Sequence, residues 1–93
     1  MNEAPVVRTL RIVNEKGLHA RASARFVETV ERFDAEARVS REGETVSGDS
    51  IMGLLMLAAS RGTAIEVETR GPQAEALADA LEALVADRFG EGF

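Results

Sequence analysis

The stretch "GLHARAS", residues 17–23, contains the single histidine of the chain, His19, with Arg21 two residues later. A neutral imidazole is a good nucleophile near pH 7. If a helix begins directly after His19, its first backbone amides lack helical partners and its dipole adds partial positive charge. Such a helix start, together with the Arg21 guanidinium, suits a bound anion. One group fits this setting, a phosphoryl group carried on the ring, and we hypothesise that His19 is reversibly phosphorylated.

The same residues also allow simpler interpretations. A single histidine before a helix is most often a capping or surface residue, and spacing alone favours that interpretation. A metal site is disfavoured because one histidine, scattered carboxylates and no cysteine form no ligand cluster. Histidine-assisted hydrolysis has little support, since Ser23 is near in sequence but no orienting carboxylate is evident.

A second candidate cluster is "GDSIMGLL", residues 48–55. Ser50 suits the N-cap of a helix, a role worth about 1 kcal/mol. A phosphate on Ser50 would also lie at a helix N-terminus. Ile51 and Met52 fall in the first turn, where an exposed apolar side chain beside an anion site would suit docking of a partner.

The hydrophobic pattern indicates the elements that must position these residues. Alternation, turn residues and helical spacing predict the order β-α-β-β-α-β-α and a two-layer α+β fold. The predicted elements are a strand at 6–13, a loop at 14–17, a helix from Ala20 to Phe33, a hairpin at 35–48, a short buried helix at 50–60, a strand at 64–69 and a helix from Ala74 to near Gly90. We expect the C-terminal tail "GEGF" to fray.

Composition limits the function further. The 93 residues predict one small domain, 1–93, too small for a bulky cofactor, so we expect none. The net charge of −5 argues against nucleic-acid binding, and no apolar run predicts membrane insertion. No signal peptide is recognised and cysteine is absent, so we expect a cytoplasmic protein. The charge is distributed unevenly along the chain. Residues 11–25 have a net charge of +3, whereas residues 72–93 contain five acidic residues and one arginine.

Two motifs in this order carry a family resemblance. "KGLHARAS" followed by "FV", and then "SIMGLLML" about thirty residues on, resemble HPr, the histidine-containing phosphocarrier family of the bacterial phosphotransferase system. The resemblance covers roughly residues 8–90. It implies an open-faced β-sandwich: a four-stranded antiparallel sheet of order 1-4-2-3, covered on one face by three helices.

The resemblance also implies roles for particular residues. His19 matches the histidine that takes a phosphoryl group from enzyme I and passes it to an IIA protein or domain, and Arg21 matches its companion arginine. Ser50 matches a serine that an HPr kinase phosphorylates in some members. The family docking surface corresponds here to Arg25, Ile51 and Met52. Such a protein is a phosphoryl carrier, a protein co-substrate rather than a stand-alone enzyme.

The sequence departs from the family pattern at several positions. Ala22 stands where proline is usual, and alanine is a good helix former, so we expect little lost chemistry. Asp49 replaces a residue that is often basic, and its carboxylate would repel a phosphate on Ser50. Glu28 and Glu31, also often basic in relatives, can shift partner choice. Two alternatives stay open: a nitrogen-type regulatory branch, and a non-catalytic binding module acting through Ser50 and the Ile51–Met52 patch.

Overall fold

The computed structural model describes residues 4–93, and its elements follow the predicted order. Four strands and three helices are joined by short loops, and a short 3₁₀ turn follows the last helix. The elements are β1 (Val6–Arg11), α1 (Ala20–Glu31), β2 (Glu36–Arg41), β3 (Glu44–Ser47), α2 (Ile51–Met56), β4 (Ala64–Arg70), α3 (Ala74–Ala86) and the 3₁₀ turn (Arg88–Gly90).

The four strands form one antiparallel sheet in the order β1-β4-β2-β3, as the resemblance implied. In register, Leu10 lies opposite Ile65, and Val39 opposite Val67. These four side chains are buried, whereas the residues between them point to the solvent. Because side chains alternate along a strand, one face of the sheet is apolar and the other is exposed to solvent.

The helices cover the apolar face and complete a single core. Phe26 of α1, Leu54 of α2 and both Leu77 and Leu81 of α3 are fully buried against the sheet. Burying each such side chain stabilises the fold by about 1.5–3 kcal/mol. The predicted two-layer α+β architecture is therefore confirmed.

Two helix ends differ from the sequence prediction. We expected a helix at 50–60, but α2 ends at Met56, because Ala58 adopts a left-handed backbone (φ 50°). We also expected the last helix to run to Gly90, but α3 ends at Ala86. Phe89 sits at the helical spacing and is buried, yet it belongs to the 3₁₀ turn. Periodicity predicts burial here correctly, but it does not distinguish a helix from a turn that returns to the same core.

The tail was expected to fray, and in the structure its residues make specific contacts. Arg88 and Phe89 have left-handed backbones (φ 57° and 54°), which cost roughly 1–2 kcal/mol per residue. The buried Phe89 ring offsets this cost and directs the chain back toward α1. Phe93 then accepts a hydrogen bond from the Glu15 amide at 3.3 Å. The C-terminal residues therefore lie against the loop that precedes α1. No helix in this described part of the chain has the length and apolar character to cross a membrane.

Candidate functional site

His19 is the N-cap residue of α1. Its backbone is extended (φ −81°, ψ −175°), and its carbonyl accepts the first helical hydrogen bond, from the Ser23 amide at 2.8 Å. Its ring atom Nδ1 accepts a hydrogen bond from the Arg21 amide at 3.3 Å. The prediction that a helix begins directly after His19 is confirmed, and the capping interpretation holds for both the backbone and the ring of His19.

The loop before the helix packs closely against the segment that follows α2. Gly17 has a left-handed backbone (φ 67°), and a Cβ there would lie 2.5 Å from the Ala59 carbonyl oxygen. Leu18 is buried, and its amide donates to that same carbonyl at 2.9 Å. Glycine is required because it fits both the backbone angle and the close approach. The segment after α2 therefore holds His19 at the surface, with its side chain 27% exposed.

The ring is held from its other side by a carboxylate that no sequence motif indicated. Glu91 Oε2 lies 2.5 Å from His19 Nε2. The Glu91 side chain is only 7% exposed. Asn14 Nδ2 donates to Glu91 Oε1 at 3.0 Å and to the Gly17 carbonyl at 2.8 Å. Asn14 is fully buried, so it ties the carboxylate to the loop that carries the histidine.

Burial alone would raise the pKa of Glu91. The hydrogen bonds from Asn14 and His19, together with the electrostatic attraction of the His19 ring and Lys16, outweigh that effect, and the pKa is lowered below its ordinary value of 4.5. Glu91 is therefore ionised at neutral pH and can only accept hydrogen bonds.

These contacts assign different roles to the two ring nitrogens. In a neutral imidazole one nitrogen carries a proton and the other carries a lone pair. Nδ1 accepts from an amide, so it holds the lone pair. Nε2 faces an ionised carboxylate, so it holds the proton. We assign this tautomer from the hydrogen-bond partners. The nucleophilic lone pair therefore points toward the first turn of α1.

The surroundings of Nδ1 favour an anion. The first turn of α1 contains no acidic residue, and its first amides have no helical carbonyl to bond. Arg21 and Arg25 are exposed on the same helix. The Arg25 guanidinium lies beside the C-terminal turn, 3.6 Å from where a Cβ on Gly90 would be. Helix dipole and guanidinium groups together make a positively charged surface next to the ring.

The second predicted cluster lies at the start of α2, which packs against α1. Ser50 is the N-cap, as predicted, and its Oγ accepts from the Gly53 amide at 2.9 Å. Asp49 Oδ1 accepts from Ser47 Oγ at 2.6 Å. Ile51 and Met52 are exposed, at 39% and 70%.

Met56, one helical turn after Met52, is also exposed, at 67%. No sequence motif indicated this residue. The start of α2 therefore presents the expected apolar patch, extended by Met56.

Asn14 and Glu91 were missed because they lie 77 positions apart, in a loop and in a tail. One signal was available: the cationic residues 11–25 and the acidic residues 72–93 carry opposite charge, and opposite charges attract. Among residues 4–93, no three histidine, aspartate or glutamate side chains lie close enough together to hold a metal ion.

Comparison with known proteins gives a consistent result. Residues 6–87 match the family model described as "PTS HPr component phosphorylation site". The phosphocarrier protein HPr of Cupriavidus necator is 47% identical over 85 residues, which cover 91% of this chain and 96% of the relative.

Two solved structures are also similar. HPr-C-His from Thermoanaerobacter tengcongensis superposes with a TM-score of 0.89 at 34% identity, covering 95% of this chain and 99% of that one. HPr from Bacillus anthracis superposes with a TM-score of 0.84 at 38% identity, covering 88% of this chain and 98% of that one. The family match ends at residue 87, so Glu91 lies outside it.

Proposed function

The chain belongs to the HPr family of phosphotransferase-system phosphocarriers, and from this premise we propose that it carries a phosphoryl group on Nδ1 of His19. The group arrives from enzyme I and leaves to an IIA protein or domain. His19 then acts as a reversible acceptor, and the protein is a co-substrate in each transfer.

One observation carries this proposal: the Nδ1 lone pair faces the open N-terminus of α1. A phosphoryl group on Nδ1 would lie within reach of the first amides of that helix, which are suited to bind its oxygens. Phosphoryl transfer depends mainly on positioning and on stabilising charge. The helix start supplies both, and the side chain of Arg21 adds a mobile positive charge at the same end.

Docking of the partners is assigned to the apolar patch of Ile51, Met52 and Met56, together with Arg25. An exposed apolar patch rimmed by charge is typical of transient protein contacts. Methionine side chains adapt to more than one partner surface, which suits a carrier that must meet a donor and an acceptor in turn. The IIA partner belongs to either a sugar-uptake or a nitrogen-type branch, and a cytoplasmic location stays a prediction.

Labelling tests the assignment of His19. Incubation with enzyme I, Mg²⁺ and phosphoenolpyruvate should give an acid-labile phosphate on the wild type and none on His19→Ala. Arg21→Ala should keep its fold and accept the group about 10–100 times more slowly, since it loses one charge contact of about 1.5–3 kcal/mol. Equal labelling of His19→Ala and wild type would sink the carrier function and favour the binding module. An unchanged rate in Arg21→Ala would remove only Arg21 from the site.

Regulation at Ser50 is a separate part of the proposal. Ser50 is half-exposed and its hydroxyl already caps α2, so a phosphate there would change a contact that holds the docking helix. Asp49 opposes that phosphate by like charge. ATP with an HPr kinase should give an acid-stable label that disappears in Ser50→Ala and increases in Asp49→Asn. A label that survives in Ser50→Ala would place the modification elsewhere.

A further inference from the structure

We infer that Glu91 is a positioning residue for phosphoryl transfer: its carboxylate holds the Nε2 proton of His19 and thereby keeps Nδ1 as both the nucleophile and the leaving atom. This inference rests on the proposed function and adds a residue that the family match does not include. It concerns how the tail of this chain completes the site.

The geometry supports this role at three points. Glu91 Oε2 lies 2.5 Å from Nε2 and its side chain is almost fully buried, so water competes little for the contact. Asn14, itself fully buried, orients the other carboxylate oxygen at 3.0 Å. The tail reaches this place through the left-handed backbones at Arg88 and Phe89, a conformation that L-residues rarely adopt. The contact is therefore built by several interactions and is not an incidental surface pair.

The chemistry explains why the proton must be held. When Nδ1 attacks, its lone pair forms the N–P bond, and the donor atom of enzyme I keeps the electron pair of the bond that breaks. The proton stays on Nε2, so the phosphorylated ring carries a positive charge. A carboxylate that accepts the Nε2 proton in a hydrogen bond stabilises such an imidazolium.

Onward transfer uses the same arrangement in reverse. The N–P electron pair returns to Nδ1, and the ring leaves as neutral imidazole with its proton still on Nε2. Without that proton the leaving group would be an imidazolate anion, which is far less stable. Glu91 therefore keeps the proton on Nε2 through both acceptance and release of the phosphoryl group, so neither step needs a net proton movement.

Three variants test the inference. Glu91→Gln keeps a hydrogen-bond acceptor but removes the charge, and Glu91→Ala removes both. Glu15→Gln removes the same charge from the exposed neighbour of the tail, whose side chain is not part of the ring contact. Lys16 and Arg21, the other charged groups near the ring, stay in every variant. Each protein is phosphorylated with phosphoramidate, a small chemical donor that needs no enzyme I, and also with enzyme I, after its fold is checked by circular dichroism.

The main measurement is the ³¹P spectrum of the phosphorylated protein as a function of pH. Wild type and Glu15→Gln should carry the label on Nδ1 and titrate together. In Glu91→Gln the label should stay on Nδ1 but titrate at lower pH than in the wild type, since a negative charge next to the protonated ring is lost. In Glu91→Ala, phosphoramidate should also phosphorylate Nε2, so that two labelled species form.

Superimposable titrations of all four proteins, with Nδ1 labelled in each, would show that Glu91 does not hold the proton and would overturn the inference. That result leaves the carrier function intact if enzyme I labels the wild type. Conversely, a Glu91-dependent titration in protein labelled by phosphoramidate, with no labelling by enzyme I, would uphold the role of Glu91 and reject the carrier function. The two failures are therefore separate.

Discussion

The two ring nitrogens of His19 face opposite kinds of neighbour, and this difference sets the chemistry at the residue scale. An amide donor faces Nδ1, and an ionised carboxylate faces Nε2. A histidine in water exchanges freely between its two tautomers, whereas these neighbours select one of them. The selected tautomer exposes its lone pair on the side where the helix start can stabilise a phosphoryl group.

Asn14 is the residue whose loss should disturb this arrangement most directly. Asn14→Ala removes hydrogen bonds to the Gly17 carbonyl and to Glu91, so we expect a loss of about 1–3 kcal/mol in the free energy of unfolding. Asn14→Asp keeps the shape but places a second carboxylate against Glu91, and it should be worse at neutral pH. Urea denaturation measures both, and a change below about 0.5 kcal/mol in Asn14→Ala would contradict the role of this side chain.

At the scale of elements, the start of α1 depends on the segment that follows α2. The Ala59 carbonyl accepts from Leu18 and lies directly against Gly17. The left-handed Ala58 ends α2 and places that carbonyl. The candidate transfer site and the proposed docking patch are therefore joined by one short connection.

Substitution of two glycines isolates this connection. Gly17 and Gly62 both have left-handed backbones, but only Gly17 is crowded; a Cβ on Gly62 meets nothing within 4 Å. Gly62→Ala should lose only the backbone cost of roughly 1 kcal/mol. Gly17→Ala adds a clash with backbone atoms, so we expect a larger loss and a displaced His19. Thermal unfolding compares the stability of the two variants. Equal losses of stability would mean that the loop at Gly17 relaxes around the added Cβ without cost.

At the scale of the whole molecule, the C-terminal tail meets the loop before α1 at the site. The tail crosses from α3 to the loop before α1, and it brings part of the acidic C-terminal region to the cationic loop. The Arg8 guanidinium links β1 to acidic residues of α3: it forms ion pairs with Asp79 at 2.8 Å and with Glu82 at 2.7 Å. These pairs are exposed and contribute little each, whereas the His19–Glu91 contact is partly buried.

Acid stability should report the Glu91 contact in the intact protein. Because folding lowers the pKa of Glu91, its contribution to stability is fully present above its ordinary pKa of 4.5 and is lost as pH falls through the lower folded-state pKa. The difference in unfolding free energy between wild type and Glu91→Gln should therefore be largest near neutral pH and shrink as the pH falls below 4.5. Denaturation at several pH values measures it, with Glu15→Gln as control; a difference independent of pH would be inconsistent with the lowered pKa.

Much of the fold was predictable from local pattern. Alternation at Ile65 and Val67 predicted a half-buried strand, and helical spacing at Phe26 and Val30 predicted α1; each is confirmed. Element ends were less predictable, because Ala58 and Phe89 adopt left-handed backbones that no local preference of alanine or phenylalanine indicates. The surrounding packing imposes those angles, and a local window does not contain it.

The sequence by itself determined the family motifs, the position of His19 before a helix and the Ser50 cap, because each depends on residues close together in the chain. Only the tertiary structure decided which ring nitrogen carries the lone pair and which carries the proton. That choice depends on Glu91 and Asn14, which are separated along the chain and meet only when the buried Phe89 turns the tail back toward α1. Hydrogen bonds between distant residues follow from packing, and packing follows from the whole fold.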